Sequence, residues 1–183
     1  MKLEFNGRQR LPVILQGEHS ECGLACLAMV LNFHGHKVDL NTLRLKHGAS
    51  AQGTTLKSLM QLADRLQLAA RPLRLELEEL AALRLPAILH WDMKHFVVLK
   101  AVKRNKVQLH DPAKGEVELD LQQLDPHFTG VALELLPTDG FVQREETRQL
   151  RLRDLWQRTE GLAGSLGQLL LLSLLLQLFA LAL

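Results

Sequence analysis

Two cysteines stand four residues apart in "QGEHSECGLACLAMVLNFHG", residues 16–35, and the chain has no others. A thiol attacks a carbonyl only as thiolate, and a helix N-terminus favours that form through its free N–H groups and the positive end of its dipole. Cys22 falls where an apolar helix should begin, with Ser20 as the expected N-cap and Gly23 leaving room for a substrate backbone. Cys26 lies one turn further in, among apolar neighbours, and reads as a small core residue. A bridge between the two would close almost no loop. Zinc is disfavoured, because no second Cys/His pair follows at finger spacing. Two cysteines in 183 residues predict a reducing, cytosolic setting rather than a disulfide scaffold.

A cysteine nucleophile needs a base and a group that orients the base. Eight histidines are present. His34, His36 and His47 fall at helix ends or in loops, where a solvated role is the expectation. His95 opens "HFVVLKAV", an apolar strand that would fix its position, and Asp111 closes the next strand, "KVQLHD". With "KRN" as the hairpin turn, His95 and Asp111 come to the same end of one hairpin. Asp111 also reads as the starter of an Asp-Pro turn, and His90 and His110 compete with His95 for the base. An acyl-transfer site further needs a donor aimed at the oxyanion. Gln16, six residues before Cys22, lies on the loop leading into the helix, and the N–H of Cys22 is the natural second donor. Gln, Cys, His and Asp in this order, with a buried Cys helix and a later sheet, follow the papain-like plan.

The elements that must hold these residues are α+β. Residues 20–33 are apolar on nearly every face, which predicts a helix buried on all sides and ended by Gly35. A short helix is expected from Asp39 to Gly48, and another from Thr54 or Thr55, with Leu56, Leu59, Met60, Ala63 and Leu66 at helical spacing. After Pro72 the period changes. "RPLRLEL" alternates, "EELAALRL" holds one or two helical turns, and "PAILHW", "HFVVLKAV" and "KVQLHD" are β-rich runs between short turns. "GEVELD" and "GVALELLP" extend this antiparallel meander. Helices first and an antiparallel sheet after them give the α+β class.

A net charge of +2, from 22 basic and 20 acidic residues, gives no sign of a nucleic-acid partner. The N-terminal stretch is charged and has no long apolar run, so no cleavable signal is expected there. From Gly161 to Leu183 there is no charged residue, and the leucine-rich run is expected to be the start of a first transmembrane helix, truncated within the span. Arg144, Arg148, Arg151, Arg153 and Arg158 precede it and would keep its N-terminal side in the cytoplasm. The organisation expected is a domain at 1–141, a charged linker or amphipathic helix at 142–160, and the membrane segment at 161–183.

"Q-(five residues)-C-G-L-A-C-L-A-M", "PAILHW…HFVVL", "V-x-L-H-D-P-A-x-G" and "FTGVALELLPT" together resemble the double-glycine leader peptidases. These are papain-like domains at the N-terminus of bacteriocin- and microcin-exporting ABC transporters of the colicin V type. The resemblance runs from about Leu11 to Phe141, and the tail is similar to the family's entry into its transmembrane domain. It implies Cys22 as nucleophile, His95 as base, Asp111 as its orienter and Gln16 as oxyanion donor. Glu21 stands where the family has an acidic residue before the nucleophile. It further implies a precursor peptide with an amphipathic helical double-glycine leader as substrate, and transmembrane and ATPase domains as partners. The parent would be a homodimer in the bacterial inner membrane, with the peptidase facing the cytoplasm. No cofactor is expected in these residues: G-x-x-x-x-G-K-[ST] does not occur, so ATP and Mg would belong to the ATPase domain. The family often has a tyrosine after the Cys helix, whereas this chain has "NFHG" and no tyrosine. Two rival readings stay open: a docking domain of an exporter that does not cut, and another papain-like acyl-transfer enzyme such as an amidase.

Overall fold

The computed structural model describes residues 10–48, 53–146 and 162–181. Contacts divide the chain into two units, Met1–Thr147 and Arg148–Leu183.

The first unit is built on one helix. α1, Cys22–Phe33, is buried at every position from Cys22 to Leu31, as a helix apolar on all faces requires. It ends as the glycine predicts. Gly35 takes φ 95°, its N–H bonds to Asn32 O and that of His36 to Leu31 O, which satisfies the last carbonyls in a Schellman motif. The start differs from the expectation. Ser20 lies inside a single 3-10 turn, His19–Glu21, and Glu21 occupies the N-cap position with no side chain capping the helix. The first amides of α1 therefore stay uncommitted to a cap.

α2, Leu40–His47, is capped by Asp39, whose side chain accepts from the Thr42 N–H, and stops at Gly48. α3, Leu56–Arg65, starts at Thr55 in a capping box with Ser58. The strands follow. β1 (Leu68–Arg74), β2 (Ala87–Trp91), β3 (His95–Lys103), β4 (Lys106–Asp111), β5 (Gly115–Asp120) and β6 (Phe128–Pro137) form one antiparallel sheet in the order β1-β6-β2-β3-β4-β5. A 3-10 stretch at Leu77–Ala82 and a four-residue helix, Leu121–Leu124, fill the connections.

The meander expected from sequence runs from β2 to β5. β6 does not extend it; it crosses back and pairs with both β1 and β2. Alternation cannot reveal that, but burial explains it: Ala132, Leu133 and Leu135 are all shielded, as a central strand apolar on both faces must be. β1 is left at an edge, where Pro72 costs little. One cluster, including Ile88, Phe96, Val98, Leu133 and Leu135, packs with the α1 residues. A second, around Leu89, Val97, Leu99, Leu109 and Leu80, fills the other side.

The unit continues past Phe141. The Lys37 N–H donates to Arg144 O and the Glu146 N–H to Lys37 O, both at 2.7 Å, so residues 142–146 lie along the α1–α2 loop. The rest of the expected linker, with Arg148, Arg151, Arg153 and Arg158, lies outside the described residues. The second unit contains the helix Leu162–Leu181, free of charged side chains. Among the described residues no helix is long and apolar enough to cross a membrane.

Candidate functional site

The packing of α1 on the sheet brings the start of the helix to the start of β3. Cys22 is buried there, with His95 near enough to act on its thiol. The β3–β4 hairpin turns through Arg104, at φ 53°, and its register sets Val98 opposite His110, so His95 and Asp111 meet at the far end. His95 Nε2 lies 2.8 Å from Asp111 Oδ1. The other ring nitrogen is left for the thiol. Asp111 is itself fixed: the Ala113 N–H donates to its Oδ1 at 2.8 Å, so the Asp-Pro turn and the His95 contact share one carboxylate.

This geometry moves three protonation equilibria. Burial alone would raise the Cys22 thiol, but the hydrogen bond and charge of His95, with the amides of Phe96 and Gly23, hold it below its ordinary value. Burial would likewise depress His95, yet its bonds to Asp111 and Cys22 raise it to about 9. Burial works against the ionised Asp111, and the His95 bond and the Ala113 amide outweigh it, keeping the carboxyl below its usual range. Near neutral pH these directions favour a thiolate–imidazolium pair braced by a carboxylate. Cys26 goes the other way. It is fully buried, and burial with the nearby Cys22 and Asp111 charges pushes its thiol well up, which makes it inert.

Gln16 is anchored to the same corner, its N–H donating to Pro112 O at 2.9 Å, one residue beyond Asp111. Its side-chain Oε1 is buried, with no hydrogen-bond partner among the described residues. Glu21, 1 % exposed, accepts from the backbone N–H groups of Gly17 (3.1 Å) and Glu18 (3.0 Å) and from Arg44 Nη2 (2.8 Å).

The competing histidines are engaged elsewhere. His90 Nδ1 lies 2.8 Å from Thr129 Oγ1, and His110 Nδ1 lies 3.1 Å from Pro12 O. His36 does not have the solvated role expected of it: it is 1 % exposed, with Nε2 3.2 Å from Arg144 Nε and 3.6 Å from Glu146 Oε2. The returning segment 142–146 buries it. Nor does Gly23 leave space for a substrate. A Cβ there would lie 2.9 Å from Thr54 Cβ and Cγ2, so the glycine admits the Thr54 loop against the helix. Sequence reasoning missed Thr54 and Arg44 in this corner, since each comes from a different element at no regular spacing from Cys22.

Residues 10–140 match the Peptidase C39 family. The chain is 43 % identical over 176 residues to the probable microcin-H47 secretion/processing ATP-binding protein MchF of Escherichia coli, covering 96 % of this chain and 25 % of that protein. It is 43 % identical over 175 residues to the colicin V secretion/processing ATP-binding protein CvaB of Escherichia coli, with the same coverage. The chain thus spans about a quarter of the length of these curated relatives. Among solved structures, it resembles a double glycine motif protease from an AMS/PCAT transporter in complex with the leader peptide. There the TM-score is 0.66 and the identity 39 %, covering 73 % of this chain and 96 % of that one. The peptidase domain of Streptococcus ComA shares the fold, with TM-score 0.64 and 23 % identity over 70 % of this chain and all of that one.

Proposed function

The chain belongs to the Peptidase C39 family, a class of cysteine proteases, and from that premise we propose that it is a cysteine endopeptidase. It cuts precursor peptides of the bacteriocin and microcin kind after a Gly-Gly pair, removing an N-terminal leader. The observation that carries this reading is His95, 2.8 Å from Asp111 and near enough to the buried Cys22 thiol to hold it below its ordinary value.

The proposed steps use these groups in turn. The Cys22 thiolate attacks the carbonyl carbon of the second glycine, and the carbonyl electrons move onto oxygen. That oxyanion is received by the Cys22 N–H at the uncapped start of α1 and by the Gln16 amide. The imidazolium of His95 gives its proton to the leaving amine, and the thioester remains. Neutral His95 then takes a proton from water as it attacks, the thiolate leaves, and the acid product departs. Asp111 holds the ring and stabilises its charged form throughout. None of these steps calls on a cofactor.

Glycine selectivity is best built by exclusion: a passage beside Cys22 too narrow for a Cβ rejects larger residues by clash. So short a recognition site supplies little binding energy, and the leader's amphipathic helix supplies the rest by laying its apolar face on the domain. The parent would be a homodimeric ABC exporter in the bacterial inner membrane. Its membrane domain would start near residue 161, its ATPase domain would hold ATP and Mg, and the peptidase would face the cytoplasm.

The test is to incubate the chain with a synthetic double-glycine precursor and read the products by mass spectrometry. Cleavage after Gly-Gly, lost when the pair becomes Val-Val, is the expected result. Binding without cleavage would leave a docking module. Equal cutting of both peptides would leave a general thiol protease, and turnover of simple amides alone an amidase.

A further inference from the structure

The mechanism leaves a buried carboxylate unused. Glu21 is 1 % exposed, yet its Oε2 receives three donors: the N–H groups of Gly17 and Glu18 and the Nη2 of Arg44. Arg44 Nε closes the pair on Oε1, and Nη1 reaches Asn41 Oδ1 at 3.1 Å. A two-pronged guanidinium fixes a carboxylate in plane as well as in distance. Both anchored amides belong to the two residues directly after Gln16, whose own N–H is tied to Pro112 O. Gly17 fits this close packing because it has no side chain: a Cβ would lie 3.1 Å from Arg44 Nη2 and 3.2 Å from Glu21 Oε2.

We propose that Arg44 is a positioning residue for the oxyanion donor. Through Glu21 it clamps the backbone of Gly17 and Glu18 and so fixes the loop that carries Gln16, the proposed oxyanion donor. Arg44 sits on α2, which is linked to the nucleophile helix by a loop, so the clamp joins two elements that the catalytic residues alone leave unconnected. The inference rests on the peptidase reading and adds a role to a residue outside the Cys22–His95–Asp111 set. It separates two parts of catalysis: forming the thiolate, which is the task of His95, and receiving the oxyanion, which depends on the loop.

The separation is testable. Arg44→Gln should lower kcat on a Gly-Gly peptide by on the order of 10-fold or more, up to the ~10²-fold expected of Gln16→Ala, with KM unchanged. Alkylation of Cys22 by iodoacetamide, which needs the thiolate and no oxyanion donor, should keep its rate and pH profile. In a Gln16→Ala background Arg44→Gln should cost little more, because both act through one donor. Arg44→Lys should recover part of kcat. Amide hydrogen exchange at Gly17 and Glu18 should speed up in Arg44→Gln. Gly17→Ala, which pushes on the same pair while leaving both charges in place, supplies a second variant should Arg44→Gln fold poorly. A full additive loss in the Gln16→Ala background, or alkylation falling in step with kcat, would overturn the proposal. Exchange needs no turnover. A wild type that leaves the precursor whole defeats the peptidase reading, whereas unchanged exchange at Gly17 and Glu18 defeats the clamp in either case.

Discussion

The two ends of α1 carry similar groups and put them to opposite use. At the N-terminal end Cys22 lies beside His95, which bonds to Asp111; at the C-terminal end His36 meets Arg144 and Glu146 of the returning segment. His36 is 1 % exposed and the His95 side chain 20 % exposed. Burial pushes both toward the neutral form, but His95 has a carboxylate and a thiolate against it and rises to about 9. For His36 burial is the largest influence, the Arg144 cation adds to it, and together they outweigh the pull of Glu146, so its value falls. Burial therefore does not make a histidine a base; the sign of the charges it is buried with decides.

The comparison breaks first at the nucleophile. Cys22→Ala should abolish cleavage with the fold intact, and His95→Ala should cost several orders of magnitude in kcat/KM. His36→Gln should leave the rate within a small factor. Rate assays on the Gly-Gly peptide, with circular dichroism as a fold check, decide; an inactive but folded His36→Gln would place chemistry at the wrong end of the helix. Asp111→Asn should lose less than His95→Ala, because the amide still holds the ring but no longer stabilises its cation. Equal losses for the two would mean Asp111 does more than orient.

Cys26 sharpens the contrast within the N-terminal end. It sits one turn from Cys22 and is fully buried among apolar side chains. Cys26→Ser should keep kcat and lower stability by about 1–3 kcal/mol, the cost of burying a hydroxyl without a partner. Urea unfolding measures it. The smallest effect belongs to His36. Its folded value is depressed, so the stability it contributes is present above the ordinary histidine range and is lost as pH falls through that range. Unfolding free energies at pH 7.5 and 5.5 should therefore differ less in His36→Gln than in wild type. No change in that difference would mean that His36 titrates alike in both states.

Much of the N-terminal end was legible in the sequence, and little of the C-terminal end. Cys22 announces itself by heading an all-apolar run, and His95 and Asp111 by their places at the same open end of one hairpin, because local period and turn length fix such pairings. The fold class followed from the same signals. His36 was misread because its burial depends on residues 142–146, more than a hundred positions away, which return to it through a backbone bridge. β6 was misplaced for the same reason: its apolar pattern is clear, but which strands flank it is a long-range choice. Gly23 carried the opposite lesson, since a glycine beside a nucleophile suggests room for substrate when Thr54 already fills it.

The central claim is that the start of α1 holds a thiolate paired with an imidazolium, and the pH dependence of Cys22 alkylation tests it most directly. Iodoacetamide labelling of the chain, resolved by peptide mass spectrometry, should modify Cys22 far faster than Cys26. The rate should rise through a midpoint below the ordinary thiol value, and that midpoint should move up in His95→Ala. Cleavage should show the same acid limb and decline again near pH 9, where His95 loses its proton. A Cys22 that labels no faster than Cys26, with a midpoint unmoved by His95→Ala, would contradict the account.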